Sequence, residues 1–438
     1  MLSSVRSIIT ANRRGKARML AQAYPKATMD ILTIFSILIS LSAVFSFINY
    51  LYFHLPRTIG LMLFALVLSI VLIIIGHTGW DVRDQAAELI QRIDFNRFLL
   101  EGMLGFLLFA GALHVEANEL MQHKWIIFFL ATAGTICSTV LVGVLTWLVL
   151  RLMDHALPLI YCLLFGALIS PTDPVAVLGI LKELKVPKSI ETQMAGEALF
   201  NDGVGVALFI VLTRIATGAP GVSIGQSALL FAKEAFGGIL IGLAIGWIAY
   251  QMLKRVDNYQ VEVLITLGLV MGGYDLAHKL HTSGPLAIVA AGLLIGNHGR
   301  AFAMSETTRK NLDTFWELID EILNAILFIL IGIEVLVLEI NFHHFLAGLM
   351  IIPLVLLVRL VSVGIPFGLV GQRMPCRKNA VKTLTWGGLR GGIAVALALS
   401  IPQGPQRSII VFITYMVVVF SIVVQGLTIK KFLKKWGV

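Results

Sequence analysis

The stretch Leu159–Leu181, LIYCLLFGALISPTDPVAVLGIL, carries one charge, Asp173. It is long enough to cross a bilayer, which takes about 20 predominantly apolar residues of helix. Its middle, Ser170-Pro171-Thr172-Asp173-Pro174, is unsuited to continuous helix. Two prolines three residues apart remove two backbone donors, and each disfavours helical geometry in the residue before it. The helix is expected to unwind near Thr172, leaving two half-helices whose facing ends carry opposite partial charge. Unwound backbone is tolerated at membrane depth only where protein or a water-lined cavity surrounds it. Asp173 is placed to offset the positive ends. The reading is therefore an all-α polytopic membrane protein built around an interrupted helix.

Composition agrees. Of 438 residues, 58% are hydrophobic and only 13% charged, against roughly 25% charged in an average soluble domain. A net charge of +9 is read as loop lysine and arginine that set orientation, and no nucleic-acid partner is expected. Cys137, Cys162 and Cys376 have no paired or zinc-like spacing and read as small apolar fillers.

Thirteen apolar stretches are long enough, or nearly so, to span: 31–53, 59–76, 98–115, 125–150, 159–181, 190–213, 226–253, 261–280, 284–297, 319–340, 346–371, 383–401 and 407–429. The ninth begins at Gly284-Pro285 and reads as partly re-entrant, while 80–97 reads as an interfacial amphipathic helix. Lysine and arginine crowd loops 182–189, 254–260, 298–318 and 372–382 and the tail (Lys430, Lys431, Lys434, Lys435). The opposite loops from 214 onward hold only Arg214, Lys279 and Arg407, so the C-terminus is expected in the cytoplasm. Thirteen crossings would place the N-terminus outside, yet residues 1–28 carry Arg6, Arg13, Arg14, Lys16, Arg18 and Lys26 and no acid. Three readings stay open: translocation of this tail despite its charge, one crossing fewer, or translation starting at Met29.

Charges inside spans are costly, about 2.5–3.5 kcal/mol each at a helix centre. Asp173, Glu197, Asp202, Arg359 and Arg390 lie deep, with Asp275 and Glu334 nearer span ends. Arg390 sits in Gly387-Gly388-Leu389-Arg390-Gly391-Gly392, a run that weakens the twelfth helix as the prolines weaken the fifth. Breaks in corresponding segments mark a transporter's binding site. Segments five and twelve are seven apart, which fits two inverted six-helix repeats, 31–213 and 261–430, joined by the connecting helix 226–253. Residues 1–30 are then a basic tail and 431–438 a short cytoplasmic one. Gly238, Gly242 and Gly246 in the connecting helix have the spacing of close helix packing. In Gly196-Glu197-Ala198-Leu199-Phe200-Asn201-Asp202-Gly203, Glu197 and Asn201 share a face and Asp202 is turned by about 100°. Glu197 and Arg359 lie at matching depth and are able to pair, which leaves Asp202 uncompensated.

The motifs SPTDPVAV (170–177), GEALFNDGVGVALF (196–209) and TWGGLRGGIAVALALS (385–400) resemble those of NhaP-type sodium/proton antiporters, a family that includes the animal exchangers. The resemblance runs from Met29 onward. It implies a thirteen-helix inverted-repeat fold, a homodimer in the inner membrane, and a mobile core built from segments 4–6 and 11–13. It implies that Asp202 binds cation and proton with Asn201 beside it. Thr172 and Asp173 would belong to one unwound crossing, Arg390 to the other, and Glu197 would be salt-bridged, by position to Arg359. The basic N-terminal tail and the short C-terminal one depart from the pattern.

The chemistry follows from one carboxylate in a partly dehydrated pocket, which holds a proton or a hard cation but not both. Oxygen ligands from Asp202, Glu197 and Thr172 suit Na⁺ or Li⁺. With Asn rather than Asp at 201, one charge exchanges for one, and electroneutral Na⁺/H⁺ exchange serving pH homeostasis is expected. The cations and protons are cargo; no cofactor and no enzymatic activity are expected. Rival readings are K⁺/H⁺ exchange, a cation channel, and a signalling or structural membrane protein. The last leaves Asp202 without a role.

Overall fold

The computed structural model describes residues 31–76, 98–154, 157–218, 224–338, 341–370 and 377–436. The basic N-terminal tail and the interfacial helix expected at 80–97 lie outside them. Among the described residues the chain is helical throughout. Its one β feature is a single antiparallel bridge between Asp173 and Leu389.

In chain order, α1 (Ile31–Ile48) runs into a π turn at Asn49–Phe53 and is followed by α2 (Arg57–Gly76) and α3 (Leu104–Leu113). Helix α4 (Lys124–Leu152) includes a π turn at Leu130–Gly134. Then come α5 (Leu159–Ile169), α6 (Val175–Glu183), α7 (Lys188–Ala216), α8 (Ile224–Leu253), α9 (Tyr259–Lys279), α10 (Gly284–Leu294), α11 (Glu306–Ile333) and α12 (Phe342–Leu369). The chain ends with α13 (Arg377–Gly387), α14 (Gly392–Ser400), α15 (Pro405–Phe420) and α16 (Gly426–Trp436).

Eight helical runs among the described residues are long and apolar enough to cross a membrane on their own. The remainder fall short for physical reasons. Pairs α5/α6 and α13/α14 are halves of interrupted helices, and α11 carries Asp313, Glu317, Asp320 and Glu321 on the way to and just past its middle. Large apolar side chains such as Phe236, Leu240, Leu264 and Met271 face outward, the surface a lipid-embedded bundle presents.

Gly284-Pro285 is a capped helix start and not a break. Ser283 accepts the Leu286 N–H at 3.4 Å with Pro285 in the first turn, an arrangement proline favours because that N–H is unneeded there. The helix then continues through a π turn at Ile295–Gly299 to Phe302.

Helices α4–α7 and α12–α16 pack chiefly on one another, and α2, α3 and α8–α11 chiefly on one another. The two groups meet along a seam where α7 and α14 face α3, α10 and α11. Within the second group the glycine stripe of α8 lies on α10. A methyl at Gly238 would come 2.5 Å from the Ser283 carbonyl oxygen, and one at Gly242 would collide with Ala287. Small residues here let two backbones touch, the packing mode that membrane helices use.

Candidate functional site

The interruptions in α5/α6 and α13/α14 meet inside the first group. The Asp173 N–H donates to the Leu389 carbonyl at 2.8 Å, so two extended segments cross and share one bond. Four half-helix ends converge here, two with unsatisfied carbonyls and two with unsatisfied N–H groups, and a membrane interior has no water to satisfy them.

Each end has a partner. At the C-terminal end of α5, Arg390 Nη1 donates to the carbonyls of Ser170 (2.6 Å) and Pro171 (2.9 Å). At the C-terminal end of α13, Gln425 Nε2 donates to the Trp386 carbonyl at 2.9 Å. Arg359 Nη2 donates to Leu384 O at 3.1 Å. At the N-terminus of α6, Asp173 Oδ1 accepts the Val175 N–H at 3.0 Å. The other Asp173 oxygen lies against Gly391, at the N-terminus of α14, where any Cβ would collide with it. One carboxylate thus sits between two positive helix ends and one guanidinium caps a negative end, the arrangement helix dipoles favour.

Helix α7 lies on this crossing through glycine: Gly205 is pressed against Pro171, and a methyl at Gly203 would come 2.6 Å from Leu286 of α10. Three polar side chains of α7 follow. Glu197, 1% exposed, takes a two-pronged contact from Arg359, 5% exposed: Nη1 donates to Oε1, and Nη2 donates to Oε2 at 2.9 Å. Asn201, fully buried, donates from Nδ2 to Thr172 Oγ1 at 2.9 Å, which ties α7 to the unwound segment. Asp202 is half-buried at the seam, within electrostatic reach of Asp173. Among the described residues no hydrogen bond or ion pair reaches its carboxylate.

The charges sort accordingly. Glu197 and Arg359 neutralise each other, Asp173 and Arg390 are committed to helix ends, and Asp202 has nothing. An uncompensated carboxylate inside a membrane bundle is a place for a proton or a cation. The oxygens that Asp173, Thr172 and Asn201 bring to the crossing are carboxylate, hydroxyl and amide, and among the described residues no group of three or more His, Cys, Asp or Glu could hold a resident metal.

Sequence reasoning passed over two sets of residues. Ser421 and Gln425, on a π turn between α15 and α16, support the crossing: Ser421 Oγ accepts the Arg390 N–H at 3.0 Å and donates to Gln425 Oε1 at 2.7 Å. Asp320 of α11 lies within electrostatic reach of Asp173. It opens the apolar run 319–340, so depth counted from the end of that run makes it look superficial. Its spacing from Asn324, one turn away on the same face, was the available signal.

The model of the family described as sodium/hydrogen exchanger, transmembrane, matches residues 33–435. The Na⁺/H⁺ antiporter NhaP of Pseudomonas aeruginosa is 47% identical over 397 residues, covering 89% of this chain and 93% of that relative. The Na⁺/H⁺ antiporter NhaH of Halobacillus dabanensis is 35% identical, covering 87% and 92%. Among solved structures, the sodium proton antiporter MjNhaP1 of Methanocaldococcus jannaschii aligns with a TM-score of 0.72 over 91% of this chain and all of that one. At 19% identity that likeness speaks to the fold alone.

Proposed function

Because the chain belongs to the sodium/hydrogen exchanger family, a family of membrane transporters and not enzymes, we propose that it exchanges Na⁺ or Li⁺ for H⁺ at Asp202. The observation that carries this reading is the contrast on α7. Glu197 is neutralised by a guanidinium and Asp202 by nothing, at a seam between two helix groups. In the cycle, Asp202 holds either a cation or a proton, and each displaces the other. Thr172 Oγ1 and Asn201 Oδ1 supply neutral oxygens beside it. Glu197 keeps its two oxygens on Arg359 and shapes the pocket, with further lone pairs toward a cation. Asp173 and Arg390 keep the crossing intact in both states.

The bare anion is the poorly mobile form, so the seam moves only with Asp202 neutralised by one ligand or the other. That is alternating access with obligatory exchange. With a single exchanging carboxylate and a neutral Asn201, one cation counts against one proton and no net charge moves. The same reading takes 31–213 and 261–430 as inverted repeats joined by α8, the C-terminus as cytoplasmic, the membrane as the inner membrane, and the assembly as a homodimer.

Reconstituted vesicles with an imposed pH gradient test it. Addition of Na⁺ or Li⁺ is expected to dissipate the gradient in the wild type and not in Asp202→Asn. Dissipation by K⁺ with no response to Na⁺ would replace the substrate. Cation current without proton movement would replace exchange by conduction.

A further inference from the structure

Helix α11 ends where both helix groups take hold of it. A helix leaves its last four carbonyls without partners of its own. At this end the Glu334 N–H takes the Leu330 carbonyl. Ser69 Oγ of α2 donates to the Gly332 carbonyl at 2.9 Å, shared with the Ala65 carbonyl at 3.0 Å. The Tyr415 hydroxyl of α15 donates to the Ile331 carbonyl. Ser69 is fully buried and Tyr415 nearly so. The two bonds differ in what they join. Helix α2 packs on α11 within one group, and Gly332 lies so close to it that a methyl there would collide with Ala65. Helix α15 belongs to the other group, where it packs on α5, α12 and α14. The Tyr415 bond therefore crosses the seam. Its depth follows from a contact nearby: Leu327 is pressed against Gly392, the first residue of α14, and Ile331 stands one turn, or roughly 6 Å, farther along α11.

We propose that Tyr415 is a latch between the two helix groups, its hydroxyl on the Ile331 carbonyl favouring the arrangement described here over the one that serves Asp202 from the opposite face. This rests on exchange at Asp202 through movement of the seam, and adds to it a positioning residue that sets the balance between the two arrangements. A hydroxyl–carbonyl bond tolerates a displacement of only about half an ångström before it weakens steeply. A shift of α15 past α11 by more than that parts Tyr415 from Ile331. The Ser69 bond, by contrast, travels with α2 and α11 together. A buried phenol that had only to fill space would be as well served by phenylalanine, because its hydroxyl needs a partner. Here the partner stands on the helix that α15 must leave. The net contribution of one such bond is a factor of roughly five in an equilibrium. Apparent affinity at each face scales with the fraction of molecules open to that face, so the latch is read as a difference between faces.

The test measures half-saturating Na⁺ at both faces, in vesicles of both orientations holding the full chain, beside a melting curve. Tyr415→Phe is expected to change the ratio of the two values roughly fivefold, because the arrangement that loses the bond becomes less populated and the other more so. Half-saturation then falls at one face while it holds or rises at the other. Tyr415→Leu, which removes ring and hydroxyl together, is expected to move the ratio in the same direction. Ser69→Ala is the control: it is expected to lower melting temperature and leave the ratio where it was. An unchanged ratio in Tyr415→Phe, or an equal change of ratio in Ser69→Ala, overturns the proposal. So does failure of both Tyr415 variants to fold, which marks a bond that holds the fold and not the seam. Transport by Asp202→Asn in the same vesicles defeats the assignment of Asp202 itself, whereas a ratio that does not move defeats the latch alone.

Discussion

Glu197 and Asp202 stand five residues apart on α7, both acidic and both inside the bundle, and their surroundings are opposite. Glu197 is enclosed and held by both terminal nitrogens of Arg359. Asp202 is half-buried, flanked by two glycines' worth of close packing on Pro171 and Leu286, with no donor directed at it. Burial alone therefore does not make a carboxylate functional. A charge with a fixed partner is already neutralised, whether or not an ion is bound nearby. A charge without one is unstable until something mobile arrives.

The largest effect expected from this contrast is on transport. Asp202→Asn should reduce exchange by at least about a hundredfold, while the protein inserts normally and its melting temperature stays level or rises, since an uncompensated charge has been removed. Vesicle transport and a melting curve on one preparation check both halves. Near-normal exchange by a well-folded Asp202→Asn protein ends the distinction between the two acids.

Next in size is stability at the other acid. Removing one partner of a buried ion pair strands its mate, at roughly 3–5 kcal/mol, so Glu197→Gln and Arg359→Gln should each lower melting temperature and expression sharply. The double variant should recover a good part of that loss. Additive losses with no coupling in the cycle mean that the pair does not hold the helices together.

How much of this was legible beforehand differs by element. Proline at 171 and 174 and glycine at 387, 388, 391 and 392 state their breaks directly, because each acts on its own backbone. The α8 stripe is equally local and indeed lies on α10. The contact between Glu197 and Arg359 followed from matching depth, since few cations exist at that level. The partners of the half-helix ends were not legible. Arg390 reaches carbonyls more than two hundred positions away, and Gln425 serves Trp386 from a π turn that no local pattern marks. Asp173 was expected at positive helix ends, but its second contact depends on Gly391 coming from the other interrupted helix. Asp320 was hidden by measuring depth along one helix when the relevant depth is the distance to the crossing.

A smaller effect separates the fixed charges of the crossing from the acid proposed to exchange. Arg390 makes two charge-assisted bonds to carbonyls that nothing else serves, so Arg390→Gln should cost about 2–3 kcal/mol. Asp173→Asn keeps an oxygen for the Val175 N–H and loses only the charge, worth about 1 kcal/mol at a helix end. Both should lower melting temperature along with transport. If Asp173→Asn kept full stability yet shifted the pH profile and the apparent Na⁺ affinity, Asp173 would share ligand duty with Asp202. The boundary drawn here would then move to include it.

The smallest expected effect is none, and it bears on the neutral side of the comparison. Asn201 is buried, and its amide is spent on Thr172, so it adds no charge to the moving site. In the proposed cycle Asp202 crosses either protonated or with a monovalent cation, and both forms are neutral. Moving one elementary charge across 100 mV is worth about 2.3 kcal/mol, so a cycle that carried net charge would respond to voltage severalfold or more. The exchange rate in vesicles clamped by a potassium diffusion potential should stay level from about −100 to +100 mV, a range over which one moved charge would be plain. A steep voltage dependence with Asn201 in place requires a second carboxylate in the cycle. Repeating the clamp on Asp173→Asn and Asp320→Asn would then identify it as whichever variant loses the dependence.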